Sequence, residues 1–294
     1  MGQLDKNGFG TFWSGAPLTA LDRACVRSFI DAGHDVTLYS YEPIGNLPDG
    51  LHTSDAGAIL DQSQIEHVRY GGKPDLAHFS DLFRYEMIRK TGKTWIDMDL
   101  VKLGNVPLPV YDNILVKEVH GPLNGAILSI TDEELLSFVQ REATTKLDRD
   151  LKWGETGPSL LRNCVKRSPR AIDVYDSQYF YPLHHDDIWR VLLPSQYDYC
   201  VEQCSRAATL HLFNNILCRM GYWKEIGPPE GSYLHTVFDK AGVLDEFAQF
   251  YPEKVMLAVV ENFCMRQNGK DLGIGSIIRE TLPSMRRSYR HWRA

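Results

Sequence analysis

The chain has 294 residues, of which 43% are hydrophobic and 24% are charged, and its formal net charge is −6. This length and composition suit one large globular domain with a modest appendage. The acidic balance argues against a general nucleic-acid-binding surface, and the absence of any run of eighteen apolar residues predicts that no helix spans a membrane.

The first residues, MGQLDKNGFG, lack the apolar core of a secretion signal. The chain has six cysteines, and Cys200 and Cys204 are four positions apart without a matching second pair, so a zinc site is not predicted. We therefore expect reduced thiols and a cytoplasmic location.

The N-terminal part alternates strand and helix patterns. Residues 8–13 predict a strand, a helix with Thr19 as its N-cap follows, and residues 35–41 predict a second strand. Such a strand–helix–strand unit predicts a parallel sheet with a right-handed crossover. Trp13 follows the first strand, where many nucleotide-binding α/β domains bind the base, so it is either a stacking platform or an ordinary core tryptophan.

The stretch 80–101, SDLFRYEMIRKTGKTWIDMDLV, predicts a helix, a turn and a short buried strand. Gly92 is placed to end the helix in a left-handed cap. Asp81 and Arg84 are three apart, on a helix face turned away from the apolar stripe. Alone, this pattern is typical of a surface ion pair; the functional alternative is contact with sugar hydroxyls or a phosphate.

Asp97 and Asp99 fall where the strand leaves the sheet, at the edge where open α/β sheets bind ligands. Two carboxylates there suit Mg²⁺ or Mn²⁺, which could bridge the diphosphate of a nucleotide sugar. The alternative is a turn with two exposed acids. A second Asp-x-Asp, residues 148–150, lies in a charged stretch that is predicted to be helical, and we interpret it as a solvated surface.

The rest of the chain carries shorter signals. We predict strands at 114–119, 126–130 and 179–182, and helices at 132–147 (capped by Thr131), 158–166, 209–220, 234–250 and 255–263. His211 becomes a metal-ligand candidate only if the late chain returns to the two aspartates. His184–Asp187 (HHDD) is interpreted as a loop, because adjacent side chains point in different directions and few could converge on one ion.

In this order, the residues resemble glycosyltransferase family 32, the DxD-motif sugar-binding-region enzymes that include α-1,4-galactosyltransferases and yeast-type mannosyltransferases. The resemblance covers about residues 9–222. It is carried by Phe12-Trp13-x-Gly15, Ser80-Asp81-x-x-Arg84-Tyr85, Asp97-x-Asp99, Asn124 before a strand, Thr156-Gly157-Pro158, Tyr181-Pro182 and His211-x-x-Asn214. One departure is that Trp95 stands where the family usually has Tyr before the motif, which keeps an aromatic ring but loses a hydroxyl.

The resemblance implies a GT-A fold, an α/β nucleotide-diphospho-sugar transferase architecture with a mostly parallel sheet. Residues 1–225 would form the catalytic domain, and residues 226–294 a helical C-terminal extension packed on it. Further implications are a UDP- or GDP-sugar donor, Mn²⁺ or Mg²⁺ held by Asp97, Asp99 and His211, a donor sugar held by Asp81 and Arg84, and substrate contacts from Trp13, Tyr85 and Asn124.

The implied reaction is retaining transfer of a hexose to a saccharide or lipid-linked acceptor, in surface polysaccharide or glycolipid synthesis. The first alternative is a haloacid-dehalogenase-type phosphohydrolase, whose first motif is also a hydrophobic strand ending in Asp-x-Asp, with Asp97 as the phosphorylated nucleophile. The second is a non-catalytic module that binds a sugar or a nucleotide without turnover.

The segment Pro283–Ala294, PSMRRSYRHWRA, is basic and aromatic in an otherwise acidic chain. Arginine is attracted to anionic headgroups, and Trp and Tyr favour the membrane interface. The segment therefore predicts a peripheral contact with the inner membrane face; the alternative is a frayed terminus that is basic for solubility.

Overall fold

The computed structural model describes residues 8–104, 106–108 and 113–268, so the predicted membrane contact of Pro283–Ala294 lies outside the described residues. The strands are β1 (Phe9–Phe12), β2 (Val36–Ser40), β3 (His52–Asp55), β4 (Val68–Tyr70), β5 (Lys73–Pro74), β6 (Thr94–Ile96), β7 (Leu100–Lys102), β8 (Ile114–Lys117), β9 (Leu123–Ser129), β10 (Arg149–Leu151) and β11 (Thr209–His211). The helices are α1 (Ala20–Ile30), α2 (Leu76–Thr91), α3 (Glu133–Thr144), α4 (Pro158–Arg167), α5 (Ser177–Phe180), α6 (Tyr197–Cys204), α7 (Asn214–Met220), α8 (Tyr233–Ala241) and α9 (Glu253–Asn268).

The protein is a mixed α/β structure around a six-stranded sheet of order β3-β2-β1-β6-β9-β8. Strands β3, β2, β1 and β6 pair in parallel, whereas β9 is antiparallel to both of its neighbours. In chain order, β2 and β3 therefore add to one side of β1, and β6 then adds to its other side. This reversal leaves a crevice outside the carboxyl ends of β1 and β6, where open α/β sheets bind ligands.

Local capping signals fix several helix ends. Thr19 caps α1 in a capping box, and Gly92 ends α2 with φ 66°, as predicted. The predicted cap at Thr131 is wrong by one residue, because the side chain of Asp132 accepts the hydrogen bond from Leu135 N. Aspartate is an equally good N-cap, so the sequence offered two adjacent candidates.

Apolar clusters cover both faces of the sheet. On one face, Phe83 of α2 stacks on Phe12 of β1 with ring centroids 4.5 Å apart. On the other, Phe29 of α1 meets Phe9 edge-on at 5.4 Å. The outer side of α1 joins the late chain, since Cys25 belongs to the same buried cluster as Phe238 in α8. The predicted boundary at 225/226 therefore falls inside one continuous apolar cluster.

Several predicted elements differ in the structure. The predicted helix 234–250 ends at Ala241, and residues 244–246 form a short 3-10 helix. Residues 179–182 do not form a strand, since α5 occupies Ser177–Phe180. The predicted helix 209–220 begins as strand β11, which pairs antiparallel with β7, and becomes helical only at Asn214. The second Asp-x-Asp is exposed, as expected of a solvated surface, but it lies at β10 rather than in a helix.

Among the described residues, no helix has both the length and the apolarity needed to cross a membrane.

Gly10 lies in β1 beneath α2, where a Cβ atom would be 2.3 Å from Met87 Sδ. Met87 is fully buried, so we expect Gly10→Ala to overpack this contact and lower the free energy of unfolding by about 1–3 kcal/mol. Urea denaturation measures the change. The control is Gly45→Ala, where a Cβ meets nothing within 4 Å. Equal stabilities for the two variants would contradict the close approach of β1 and α2.

Candidate active site

A cavity of about 730 Å³ opens at the carboxyl ends of β1 and β6. It is of the size that holds small-molecule ligands. Five carboxylates and two arginines line it, namely Asp22, Asp81, Asp97, Asp99, Glu118, Arg84 and Arg219. Most of the residues that the sequence singled out therefore meet in one place.

Arg84 lies at the base of this cavity and is buried, with 7% exposure. Its guanidinium donates to Gly125 O at 2.9 Å through Nη1, and its Nη2 lies 3.4 Å from Asp81 and 3.3 Å from Asp97. The interpretation of Asp81 and Arg84 as a surface ion pair is thus wrong, because Gly125 of β9 lies against Arg84 and the loop before α4 lies against Asp81. A Cβ at Gly125 would be 2.4 Å from Nη1, so glycine leaves room for the guanidinium.

Asp81 lies beside Arg84 and is equally buried. Its carboxylate accepts a hydrogen bond from Thr156 Oγ1 at 2.8 Å. Burial raises the pKa of Asp81, and the opposing effects of Arg84 and Thr156 do not cancel it. A Cβ at Gly157 would lie 2.8 Å from both carboxylate oxygens, so the backbone of the loop before α4 closes on this side chain.

Asp97 is held by the strand that precedes it. Trp95 Nε1 donates to Asp97 Oδ1 at 2.6 Å, and the Arg84 guanidinium lies 5.0 Å from the Trp95 ring centroid. The indole therefore supplies a hydrogen-bond donor to the first of the two aspartates. The backbone N–H of Asp97 donates to Ala126 O at 2.7 Å, which fixes the carboxylate at the end of β6.

Asp99 is held by the late chain. The pairing of β7 with β11 sets Leu100 opposite His211, and His211 Nε2 lies 3.3 Å from Asp99 Oδ2. The same carboxylate oxygen accepts from Asn214 N at 2.6 Å. Phe213 adopts φ 50°, a left-handed conformation that is strained for a non-glycine residue. This bend turns the first amide of α7 towards Asp99.

The contact between Asp99 and His211 shifts the pKa of both groups. Burial raises the pKa of Asp99, but the His211 charge and the Asn214 N–H outweigh it, so the pKa is lowered overall. Burial lowers the pKa of His211, but the Asp99 carboxylate outweighs it, so the pKa is raised. Without another cation, the site thus favours a protonated imidazole against an ionised carboxylate.

Three of the candidate ligands converge. One ligand atom each from Asp97, Asp99 and His211 lies within 4.8 Å of the others. The other ring nitrogen of His211, Nδ1, is buried and has no hydrogen-bond partner in the described part of the chain. Two carboxylates and one imidazole are a donor set that suits Mn²⁺ and also accepts Mg²⁺. The residues present therefore fit a divalent cation.

Of the other predicted substrate contacts, Trp13 and Asn124 line the cavity and Tyr85 does not. Trp13 is partly exposed and lines the cavity, with its Nε1 donating to Ala16 O. Asn124 also lines it, and its side chain is shared between Glu118 and the backbone N–H of Ala126.

Tyr85, by contrast, is not among the residues that line the cavity. It is 1% exposed, and its hydroxyl donates to Thr156 O at 2.8 Å. We therefore withdraw the prediction that Tyr85 touches a substrate; it supports the loop that holds Asp81.

Two lining residues, Glu118 and His78, carried no sequence signal. Glu118 lies 3.7 Å from His185, which belongs to the HHDD stretch and also lines the cavity. The expectation that few of the HHDD side chains could converge on one ion is wrong, because ligand atoms of His184, His185 and Asp186 lie within 4.8 Å of one another. His184 Nδ1, however, already accepts from Asp186 N at the start of a 3-10 helix.

The sequence matches no family model and no curated protein. Among solved structures, the chain is similar to one described as the PaToxG glycosyltransferase, with a TM-score of 0.42 and 12% sequence identity. The match covers 55% of this chain and 69% of that chain. Similarity at this level assigns no activity, so any functional assignment depends on the residues of the cavity.

The Asp99–His211 pair predicts that the stability of the metal-free protein depends on pH. Because the pKa of His211 is raised, its contribution to the free energy of unfolding is complete below about pH 6.5 and is lost as pH rises through the folded-state pKa. Because the pKa of Asp99 is lowered, its contribution to the free energy of unfolding is complete above about pH 4 and is lost as pH falls below that through the folded-state pKa. His211→Gln should therefore reduce the free energy of unfolding most between about pH 4 and 6.5, by on the order of 1–2 kcal/mol.

Chemical denaturation in EDTA at several pH values measures this difference. The gap between wild type and His211→Gln should narrow as pH rises above about 6.5 and through the folded-state pKa of His211. A gap that stays constant from acid to alkaline pH would show that the Asp99–His211 ion pair does not form.

Proposed function

We propose that this protein is a metal-dependent glycosyltransferase that uses a nucleotide-diphosphate sugar. The observation that carries the proposal is the convergence of Asp97, Asp99 and His211 beside the buried pair Asp81 and Arg84 in one cavity. A cation site suits a diphosphate, and a nearby carboxylate can accept hydrogen bonds from sugar hydroxyls. Together they suit a ligand with a diphosphate at one end and a sugar at the other.

The charge of the cavity supports the need for a cation. Five carboxylates outnumber two arginines on its walls, and one of these arginines, Arg84, is already shared between two aspartates. A bare diphosphate would meet net repulsion in this partly desolvated space. When bound, Mn²⁺ or Mg²⁺ would neutralise the diphosphate and stabilise the leaving-group charge.

Each residue then has a separate task. Asp97, Asp99 and His211 would hold the cation, and Asp81 would accept hydrogen bonds from sugar hydroxyls. Arg84 would fix both carboxylates in place and keep a positive charge beside the sugar or a phosphate. The partly exposed ring of Trp13, at the end of β1, would stack on the base.

The finer parts of the proposal follow the family 32 resemblance. They are a GT-A fold, a UDP- or GDP-sugar donor, transfer of a hexose with retention, and a saccharide or lipid-linked acceptor in surface polysaccharide or glycolipid synthesis. In a front-face route, the acceptor attacks from the side of the leaving diphosphate and no enzymic nucleophile is needed. Such a route would suit this cavity, because Asp81 pairs with Thr156, and Asp97 and Asp99 would be engaged in holding the cation.

The alternative of a phosphohydrolase gives Asp97 the role of nucleophile. Its Oδ1 accepts a hydrogen bond from Trp95 and lies 3.3 Å from Arg84, and both contacts lower its nucleophilicity. An aryl phosphate with Mg²⁺ separates the two functions. We expect no hydrolysis above the level of an Asp97→Asn variant, whereas Asp97-dependent turnover would replace the transferase proposal.

Asp99→Ala should remove metal-dependent nucleotide binding and abolish transfer while the fold survives, because the Asp99 side chain is half-buried, lines the cavity and makes polar contacts with His211 and Asn214 N rather than apolar contacts in the core. In wild type, Mn²⁺ with UDP or GDP at about 100 times Kd should stabilise the fold by about 2.7 kcal/mol, and the variant should lose this increment. Thermal unfolding with a panel of UDP- and GDP-sugars measures it.

The matched control is Asp150→Ala, the last residue of the exposed second Asp-x-Asp. It should keep the full metal-dependent increment. A normal increment and normal turnover in Asp99→Ala would refute the cation site, and binding without turnover in wild type would favour the non-catalytic module.

The segment Pro283–Ala294 adds a separate proposal, a peripheral contact with anionic membrane that would bring the enzyme to a lipid-linked acceptor. The full chain should co-sediment with anionic vesicles at low salt and dissociate as salt rises, whereas a chain ending at Leu282 should stay in the supernatant. If both forms behave alike, the segment is not a membrane contact and a water-soluble acceptor is favoured.

A further inference from the structure

An aromatic platform borders the cavity next to Asp81: Trp153 and His78 line the cavity, and Tyr70 packs beside them just outside its lining. Trp153 is a large apolar side chain that is 63% exposed, and Tyr70 beside it is 42% exposed. Their rings are 6.0 Å apart, and both pack against His78, at 5.5 Å for Trp153 and 5.2 Å for Tyr70. The parallel pairing of β10 with β4, which sets Leu151 opposite Tyr70, brings the two aromatic residues together.

His78 supplies an unused polar atom at this platform. The residue is 2% exposed and lines the cavity, and its Nδ1 lies 2.6 Å from the Asp75 carboxylate. A proton on Nδ1 satisfies that contact and leaves Nε2 of the neutral ring as an acceptor. Nε2 is buried and has no hydrogen-bond partner among residues 8–104, 106–108 and 113–268. A buried acceptor of this kind is unfavourable until a ligand donates to it.

A short loop joins the platform to the part of the cavity at Asp81, where the donor sugar is proposed to bind. The loop begins at Trp153 and ends at Gly157, whose backbone lies against the Asp81 carboxylate, and Thr156 within it donates to that carboxylate. His78 and Asp81 are three apart in α2 and share a face of the helix. A ligand on the platform would thus be adjacent to a sugar held by Asp81.

We propose that Trp153, Tyr70 and His78 form the subsite for the acceptor saccharide, an inference that rests on the proposed glycosyl transfer. A pyranose has a face of C–H groups, which suits the electron-rich face of an indole, and hydroxyls at its edge, one of which would donate to His78 Nε2. Such a subsite selects a carbohydrate acceptor over an acceptor that offers a lone hydroxyl, because it recognises the ring as well as the reacting group.

The test compares Trp153→Ala with Trp223→Ala, a matched control in which the removed tryptophan is also 63% exposed but does not line the cavity. With methyl glycosides of the common hexoses as acceptors, Trp153→Ala should raise the acceptor KM about tenfold and leave the donor KM unchanged. Trp153→Phe should recover most of the loss, and Trp223→Ala should resemble wild type.

His78 is tested by a pair of variants. His78→Asn keeps a polar atom near Asp75 but removes the atom at the Nε2 position, whereas His78→Gln places an amide near that position. We expect His78→Asn to raise the acceptor KM about tenfold and His78→Gln to raise it less. Thermal unfolding of both variants separates misfolding from a lost contact, and equal acceptor KM values in wild type and a folded His78→Asn would overturn the role of His78.

A binding measurement separates this inference from the proposed reaction. Saturation-transfer NMR of the methyl glycosides on the full chain without donor should show contact in wild type and Trp223→Ala, and lose it in Trp153→Ala. If metal-dependent nucleotide stabilisation is absent but this contact is seen, the sugar site stands and the transfer reaction fails. If nucleotide binding is intact and Trp153→Ala binds like wild type, or if its donor KM rises instead, the acceptor subsite is wrong.

Discussion

The site depends on the burial of the Arg84 guanidinium. A buried charge is tolerated only when it is paired and hydrogen-bonded, and Arg84 meets this requirement through Asp81, Asp97 and Gly125 O. The contacts with Asp97 and Gly125 O tie α2 to the end of β6 and to β9. Removal of the guanidinium would leave the buried Asp81 and the half-buried Asp97 without their common partner, so Arg84 sets how these two carboxylates lie relative to each other.

The second aspartate has an independent anchor. Asp99 is fixed by Asn214 N and His211, both delivered by the pairing of β7 with β11 and by the strained bend at Phe213. The early chain therefore positions Asp97 and the late chain positions Asp99. A cation between them would link the two halves, so metal binding and stability of the C-terminal elements should be coupled.

Local patterns predicted the strand–helix alternation, the cap at Gly92 and the position of Asp97 and Asp99 at a strand end. They could not predict the burial of Asp81 and Arg84, because an i,i+3 ion pair has the same spacing whether or not its face is covered. The covering groups, Gly125 and Thr156, are 41 and 75 residues away from their partners. Likewise, Thr209–His211 is too short to distinguish a strand from the first turn of α7 by periodicity, and only pairing with β7 decides it. His78, Glu118 and Trp153 lie in separate elements with no shared motif, so only the fold could reveal them.

The central claim is that Asp97, Asp99 and His211 bind one divalent cation. A crystal grown with Mn²⁺ and UDP or GDP, and measured for manganese anomalous scattering, tests it most directly. The account predicts one anomalous peak within coordination distance of the three side chains, with the diphosphate as a further ligand and His211 no longer paired with Asp99 alone. A peak elsewhere in the cavity, or nucleotide bound with no peak at these residues, would contradict it.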